Sequence, residues 1–463
     1  MSIERLLIAN RGEIAVRILR TSRELGIETV LVTSEADRES LPARLADRAL
    51  CIGPGPSTES YLKVPAILAA ALGSGADAVH PGYGFLAESP ALARACEEAG
   101  IVFVGPTADQ IERVGDKLEA RRCAEAAGVP VIPGGSVADA DEALELAEAI
   151  GYPVLIKAVG GGGGRGMKPV GSAEAMVEAI TLAAAEADAA FDDARLYLEC
   201  LVGGGRHVEV QVIGDGETVI HVGDRDCSVQ RRYQKVVEEA PAPGIPRSLH
   251  AEMHEAARRF AAELGYRGLG TVEFLLDTAR DRFYFLEMNA RIQVEHPVTE
   301  QITGLDLVAE QLSVAEGKPL GLEQADIRLE GHAIECRINA EDTRHGFRPS
   351  PGTITAAEFP TGPDIRVDTH VQAGSYVPPY YDSLVAKVIA RGPDRDSAIA
   401  AMRSALVRCR IEGVATNLDL HRALMDDEEF CRGGVDTGYL DRFLARSGLT
   451  GSTAGTDTNS GVS

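Results

Sequence analysis

Between Phe285 and Thr299 the chain reads Phe-Leu-Glu-Met-Asn-Ala-Arg-Ile-Gln-Val-Glu-His-Pro-Val-Thr, a dense run of groups able to do chemistry. Its first part alternates like a strand, which predicts Phe285, Glu287 and Asn289 on one face and Leu286 and Met288 on the other. Arg291, Gln293 and Glu295 continue the spacing of two. A buried core strand would not carry two carboxylates, an amide and a guanidinium on one side, because unpaired buried charge is costly. Oxygen ligands for a divalent cation, beside an anion-holding cation and a base, account for the pattern. A second strand, Gly270 to Leu276, carries Glu273, and the polar run Asp277 to Arg282 predicts a hairpin turn between the two. Antiparallel pairing then sets Glu273 beside Glu287. Like charges so placed need a counter-ion, and magnesium suits them because it takes carboxylates together with phosphate oxygens. A pair of solvated surface carboxylates is the plainer alternative.

A phosphate end is visible upstream. The apolar strand Gly151 to Val159 contains one lysine, Lys157, and runs into Gly160 to Met167, where six of the first seven residues are glycine. Such a stretch cannot be a helix or strand interior, but its N–H groups can approach phosphate closely. It follows neither the Walker nor the dinucleotide pattern. A flexible linker is the alternative, although linkers are usually serine-rich and lack a flanking strand lysine. Lys117, in Gly115-Asp116-Lys117, is a second candidate lysine and on its own reads as an ordinary surface residue.

Stepping outward, residues 3 to about 113 alternate strand and helix: Arg5 to Ala9, a helix from Gly12 to Leu25 closed by Gly26, then strands at Thr29 to Thr33, Ala78 to His80 and Ile101 to Val104. That predicts a doubly wound parallel sheet over 1–113. A central region, 114–330, contains a small glycine-flap subdomain at about 131–204. There Asp139 as N-cap, Glu142 three residues on, and the face Ala143, Leu146, Ala147 and Ile150 predict a helix ended by Gly151. The C-terminal region, 331–446, reads as α+β, rich in antiparallel strands and turns. Residues 447–463 have little to bury and read as a disordered tail. The 463 residues carry a net charge of −24, which argues against a nucleic-acid partner. No apolar run approaches ~20 residues, so no membrane span is expected. The N-terminus shows no signal-peptide pattern and the eight cysteines no paired spacing, which predicts reduced thiols in a cytoplasmic protein.

Taken in order, several stretches resemble the biotin carboxylase family of the ATP-grasp superfamily. They are Ile8 to Ala15, His80 to Leu86, the glycine flap, Arg206 to Glu209, Arg225 to Ser228, Gln230 to Lys235 with Glu238 to Pro243, the acidic segment, and Glu335 to Asp342. The resemblance implies an α/β ATP-grasp fold and ATP-dependent carboxylation of biotin by bicarbonate through carboxyphosphate. By the same resemblance Glu273, Glu287 and Asn289 hold a pair of magnesium (or manganese) ions across the ATP phosphates. Lys117, Lys157 and His207 contact those phosphates, and Gly163 and Gly164 cover them. Glu199 and the backbone of Cys200, Leu201 and Val202 meet the adenine, packed by Met167 and Leu275. Gln230 and Tyr233 lie at the ribose. Lys235, Arg291, Gln293 and the N–H of Val294 hold bicarbonate, and Glu295 is the general base. Arg337 stabilises the biotin enolate, with Tyr83 and Asp382 as weaker biotin candidates. Tyr233 stands where many relatives have histidine, and Cys200 where one bacterial form has lysine.

Each of these residues also has a plain reading. His207 could be a satisfied strand histidine, Tyr83 turn packing, Arg337 an outward strand residue, Asp382 the start of a turn, and Arg231-Arg232 a solvated face. No Met-Lys-Met biotin-attachment segment is present, so the resemblance implies a separate biotin carboxyl carrier protein and carboxyltransferase subunits, with the chain itself a homodimer. Acetyl-CoA carboxylase, which serves fatty-acid synthesis through malonyl-CoA, is the expected system, with pyruvate or another acyl-CoA as alternative acceptors. A different ATP-grasp ligase and a non-catalytic nucleotide-binding subunit remain as rivals. A dinucleotide oxidoreductase does not, because Asn10-Arg11-Gly12-Glu13-Ile14 offers no Gly-x-Gly-x-x-Gly turn.

Overall fold

The computed structural model describes residues 2–159, 167–191 and 193–449. Strands β1 (Arg5–Ile8), β2 (Glu28–Ser34), β3 (Arg48–Gly53), β4 (Ala78–His80) and β5 (Val102–Phe103) pair in parallel in the order β3-β2-β1-β4-β5. Leu6, Leu7 and Ile8 are all fully buried, as a parallel strand covered on both faces requires. This is the doubly wound sheet that the alternation predicts. The order reverses between β1 and β4, and the loops beyond them open a crevice there. Asn10 fixes its lip: Nδ2 donates to the carbonyls of Pro81 and Tyr83, both at 2.7 Å.

The helix Ala108–Gly115 leads out of this sheet, and Asp116 caps the next one, Lys117–Ala126, by accepting the N–H groups of Leu118 and Glu119. The chain changes course at Asp116, between these two helices. A small antiparallel sheet follows: β6 (Gly134–Val137), β7 (Val154–Ala158), β8 (Met167–Val170) and β9 (Leu196–Cys200), ordered β6-β9-β7-β8. With the helix Ala140–Ile150 it encloses a core of its own, including Ala143, Ala147, Val154, Ile156 and Leu198. Asp139 caps that helix as expected, while Glu142 returns to the N–H of Ala138, one residue further out than a capping box. The expected flap, with Gly163 and Gly164, lies outside the described residues.

The central element is one antiparallel sheet of eight strands. It comprises β10 (Arg206–Asp215), β11 (Val219–Arg231), β12 (Gln234–Ala240), β13 (Arg267–Asp277), β14 (Arg282–Asn289), β15 (His332–Asn339), β16 (Ile365–Thr369) and β17 (Leu384–Gly392). Their order is β14-β13-β10-β11-β12-β15-β17-β16. Because β12 pairs with β15, the C-terminal region continues the central sheet. Strands prevail there only as far as Gly392. Beyond it the helices Arg395–Arg408, Leu418–Asp426 and Tyr439–Ser447 take over, the helical part of the expected α+β region. Ser447, the first residue of the expected tail, is the last residue of that final helix; residues 450–463 lie outside the described residues.

A second correction concerns the acidic hairpin. β13 and β14 pair Glu273 with Glu287 but Phe274 with Phe285, leaving Leu286 as the extra residue of a bulge. A one-residue slip reverses the faces. Phe285 therefore joins Met288 in the core, its ring 4.7 Å from that of Phe260, while Leu286 lines the cleft with Glu287 and Asn289. The expected places of Phe285 and Leu286 are exchanged. All eight cysteines are free, and no described helix is long and apolar enough to cross a membrane.

Candidate active site

The sheets meet around a cleft of about 1360 Å³. Every described site residue expected from the sequence lines it. Cross-strand register explains its floor. Arg225 of β11 faces Glu209 of β10, Glu209 faces Glu273 of β13, and Glu273 faces Glu287 of β14. A row of one cation and three carboxylates thus crosses four neighbouring strands on one face.

The row is neutralised unevenly. Arg225 is fully buried and donates to five acceptors: Glu209 at 2.6 Å, Gln211 at 2.9 Å, Thr299 at 3.0 Å, Thr271 at 3.1 Å and Gln293 at 2.8 Å. Lys235, at the start of β12, bridges Glu209 (2.6 Å), Glu273 (3.1 Å) and Glu295 (2.7 Å). Burial alone would lower the Lys235 ammonium, but Cys227 and the three carboxylates hold it well above its ordinary range. His207 sits 3.0 Å from the other oxygen of Glu273. Against the effect of burial, Lys235 and His207 keep Glu273 far below the usual carboxylate range.

The opposite end of the row differs. Its place inside the cleft, then the charge of Glu273, pushes Glu287 above its usual range, with Lys117 pulling the other way, although its side chain stays exposed to the cleft opening. Burial lowers Lys117, and Glu287 opposes that. Asn289 Nδ2 donates to Glu273 at 2.9 Å and its Oδ1 accepts from Arg291 at 2.7 Å. Two opposed carboxylates, one reluctant to ionise, plus an amide oxygen form a donor set that a hard divalent cation fits. The phosphate and adenine candidates stand above this end. Lys157 is ion-paired with Glu199. Cys200 and Leu201 donate their N–H groups to the carbonyls of Pro133 and Pro153, so those two groups are already used. Gln230 is buried, whereas Tyr233 projects from the β11–β12 turn and is 59 % exposed.

At the other end, the segment after β14 turns into the helix His296–Thr303 with Glu295 as its N-cap residue. Arg291 is held by Glu88 at 2.9 Å, and Gln293 bridges Arg225 and Glu273. The carbonyl of Val294 accepts from Lys387 at 2.7 Å, and Lys387 also meets Glu13 at 3.1 Å. Glu13 accepts from the hydroxyl of Tyr83, so the N-terminal crevice reaches the Val294 peptide through two side chains. Arg337 contacts Glu238 at 2.5 Å and Glu295 at 2.9 Å. Burial would raise Glu295, but Lys235, Arg337 and Arg225 hold it well below the carboxylate range. Asp382 lies at the rim, its Oδ1 accepting the N–H of Leu384 at 3.0 Å.

Glu209, Arg225, Glu238 and Glu88 are among the residues of this network that went without a role in the sequence reading. His207, Glu209 and Gln211 at alternate positions were the available signal. Glu238 has a measurable consequence. Burial pushes it up to about 7, against the pull of Arg337, from an ordinary value of 4.5. A carboxyl raised in the folded state contributes stability that is complete below pH 4.5 and lost as pH rises to about 7. Glu238→Gln cannot titrate. Between about pH 5 and pH 8 the wild-type thermal midpoint should fall by a few degrees relative to the variant. Parallel midpoint curves over that window would show that Glu238 does not titrate there.

Three family profiles match the chain. They are the biotin carboxylase N-terminal domain over residues 2–111, the carbamoyl-phosphate synthase L chain ATP binding domain over 116–323, and the biotin carboxylase C-terminal domain over 335–442. The chain is 52 % identical over 446 residues to a biotin carboxylase of Pseudomonas aeruginosa, spanning 96 % of this chain and 99 % of that one. Its fold superposes on the biotin carboxylase–β,γ-ATP complex of Campylobacter jejuni with a TM-score of 0.92 at 46 % identity, over 95 % and 99 % of the two chains. A dimer of the biotin carboxylase domain of Hydrogenobacter thermophilus 2-oxoglutarate carboxylase, crystallised with MgADP, ADP and bicarbonate, matches with a TM-score of 0.91 at 44 % identity, over 97 % and 99 %.

Proposed function

The chain belongs to the biotin carboxylase family of ATP-grasp ligases, and from that premise we propose that it carboxylates biotin on a separate carrier protein, as the biotin carboxylase subunit of an acetyl-CoA carboxylase. It is an ATP-dependent ligase that uses ATP, magnesium and bicarbonate, with biotin as substrate. The observation that carries the proposal is the two-ended cleft: a carboxylate row under the nucleotide end, and Lys235, Arg291, Arg337 and Glu295 gathered at the other. The parts divide as 1–113, 114–330 and 331–446, and the active form is a cytoplasmic homodimer working with a carrier protein and a carboxyltransferase.

In this reading Glu273, Glu287 and Asn289 hold magnesium, which when bound neutralises phosphate charge during transfer. Lys117, Lys157 and His207 bind the phosphates. Lys157 must then exchange Glu199 for a phosphate oxygen. Glu199, Met167, Cys200, Leu201, Val202 and Leu275 form the adenine wall, with Gln230 and Tyr233 at the ribose. Arg291 and Lys235 hold bicarbonate, a planar oxyanion suited to a guanidinium. Gln293 fixes the segment, the Lys387 bond to the Val294 carbonyl steadies the peptide leading into Glu295, and the N–H of Val294 serves bicarbonate. Glu295 accepts the bicarbonate proton, and Arg337 steadies negative charge on the ureido oxygen of biotin, with Tyr83 and Asp382 beside it.

The test is ADP release. It should require bicarbonate and rise on addition of free biotin, with carboxybiotin as product. Bicarbonate-dependent turnover that ignores biotin and yields no carboxybiotin would leave a general ligase and overturn the specific reading. The likeness to the 2-oxoglutarate carboxylase domain favours one second reading, an acceptor other than acetyl-CoA. Reconstitution with candidate carboxyltransferases separates the two.

A further inference from the structure

A histidine cluster on the sheet face turned away from the cleft takes no part in this chemistry. Asp224 precedes Arg225 on β11 and therefore points to the opposite face. The helix Arg247–Glu263 packs there and presents His250 and His254, one turn apart on the same side. Both address a single carboxylate oxygen: His250 Nδ1 and His254 Nε2 each lie 2.6 Å from Asp224 Oδ2. The second oxygen, Oδ1, accepts the N–H of Ala242 at 2.7 Å, which fixes the carboxylate plane. Asp224 is fully buried, while the His250 side chain is 18 % exposed and offers a way in. His221, three positions before Asp224 on the same strand, has its ring 4.3 Å from that of His254. Its Nδ1 is buried with no partner among the described residues.

We propose that Asp224, His250 and His254 form a binding site for a divalent transition-metal ion, zinc by preference. The three ligand atoms lie within 4.8 Å of one another. Two imidazoles and one carboxylate suit zinc and its neighbours, whereas magnesium prefers oxygen throughout. Ala242 supplies the outer hydrogen bond that such carboxylate ligands usually have. Ligands at about 2.0–2.1 Å from a tetrahedral ion stand about 3.3 Å apart. The cluster must therefore open slightly, and the part-exposed His250 is the member free to give. The ion would tie the helix Arg247–Glu263 to the strand whose next residue, Arg225, holds Glu209 and Gln293.

The test uses the metal-stripped full chain and zinc alone, titrated calorimetrically, with cobalt as a visible probe. The cleft group His207, Glu209 and Glu273 is a competing site, so wild type is compared with His250→Gln and with His250→Gln/His254→Gln. Wild type should bind one equivalent more than the double variant, show tetrahedral cobalt bands that the variant lacks, and lose at least about tenfold in affinity with His250→Gln. Equal stoichiometry and spectra in folded wild type and variant overturn the proposal and leave a hydrogen-bonded cluster. Should the double variant not fold, zinc-edge diffraction from a soaked wild-type crystal decides: an anomalous peak between the three side chains supports the site, and a blank map there rejects it.

Discussion

Replacing Arg337 with alanine is expected to cut carboxylation of biotin by about a thousandfold while changing ATP affinity by no more than about threefold. The guanidinium is held 2.5 Å from Glu238 and 2.9 Å from Glu295, so it is a fixed cation at the end of the cleft proposed to take biotin. A preorganised cation loses little by reorganisation as charge develops on the substrate, which is why removing one costs so much rate. Loss of one partner from a buried ion pair usually destabilises strongly. Here Glu238 offers relief, because burial already pushes it up to about 7 and it takes up a proton once Arg337 is gone. Glu295 keeps Lys235 at 2.7 Å. The variant should therefore fold, bind nucleotide and retain bicarbonate-dependent ADP release without biotin. Nucleotide titration and ADP release with and without biotin check this. Parallel loss of ATP affinity and biotin turnover would mean that Arg337 organises the whole cleft and does not serve biotin alone.

Local features were legible in the sequence wherever neighbours in the chain are also neighbours in space. The pairing of Glu273 with Glu287 follows from one hairpin, and its turn residues mark where the chain reverses. The parallel N-terminal sheet follows from alternating strand and helix signals. The bulge at Leu286 did not show, because inserting one residue leaves the apolar pattern nearly intact and yet reverses which face each side chain takes. Glu209 and Arg225 belonged to recognisable stretches, but their task depends on β10 lying between β11 and β13, a pairing of distant segments. Glu238 depends likewise on β12 meeting β15. The eight-stranded sheet was missed for the same reason, since no turn signal announces that the C-terminal strands extend a sheet begun far upstream.

Glu295→Gln is expected to lower bicarbonate-dependent turnover by about 10²–10⁴-fold, with or without biotin, and so to differ from Arg337→Ala. The resting site poses an apparent difficulty for a base. Lys235 and Arg337 sit at 2.7 and 2.9 Å from Glu295 and hold its carboxyl far below the ordinary range, which makes it a weak proton acceptor. The same contacts resolve it. Each cation at this end is engaged with the site's own carboxylates: Lys235 with Glu209, Glu273 and Glu295, Arg337 with Glu238 and Glu295, Arg291 with Glu88. On the proposed assignment bicarbonate and biotin would compete for those cations, and every cation drawn toward a substrate would raise the proton affinity of Glu295. The proposed base would thus be switched on by the ligands it serves. Glutamine keeps the shape and one acceptor but cannot take the proton, so both biotin-dependent and biotin-independent ADP release should fall together. The fold should survive, since Lys235 and Arg337 each retain a carboxylate. Rate measurements on purified variant settle the point: biotin-independent ADP release near the wild-type rate would remove Glu295 from the base role and leave it as a positioning group for Lys235 and Arg337.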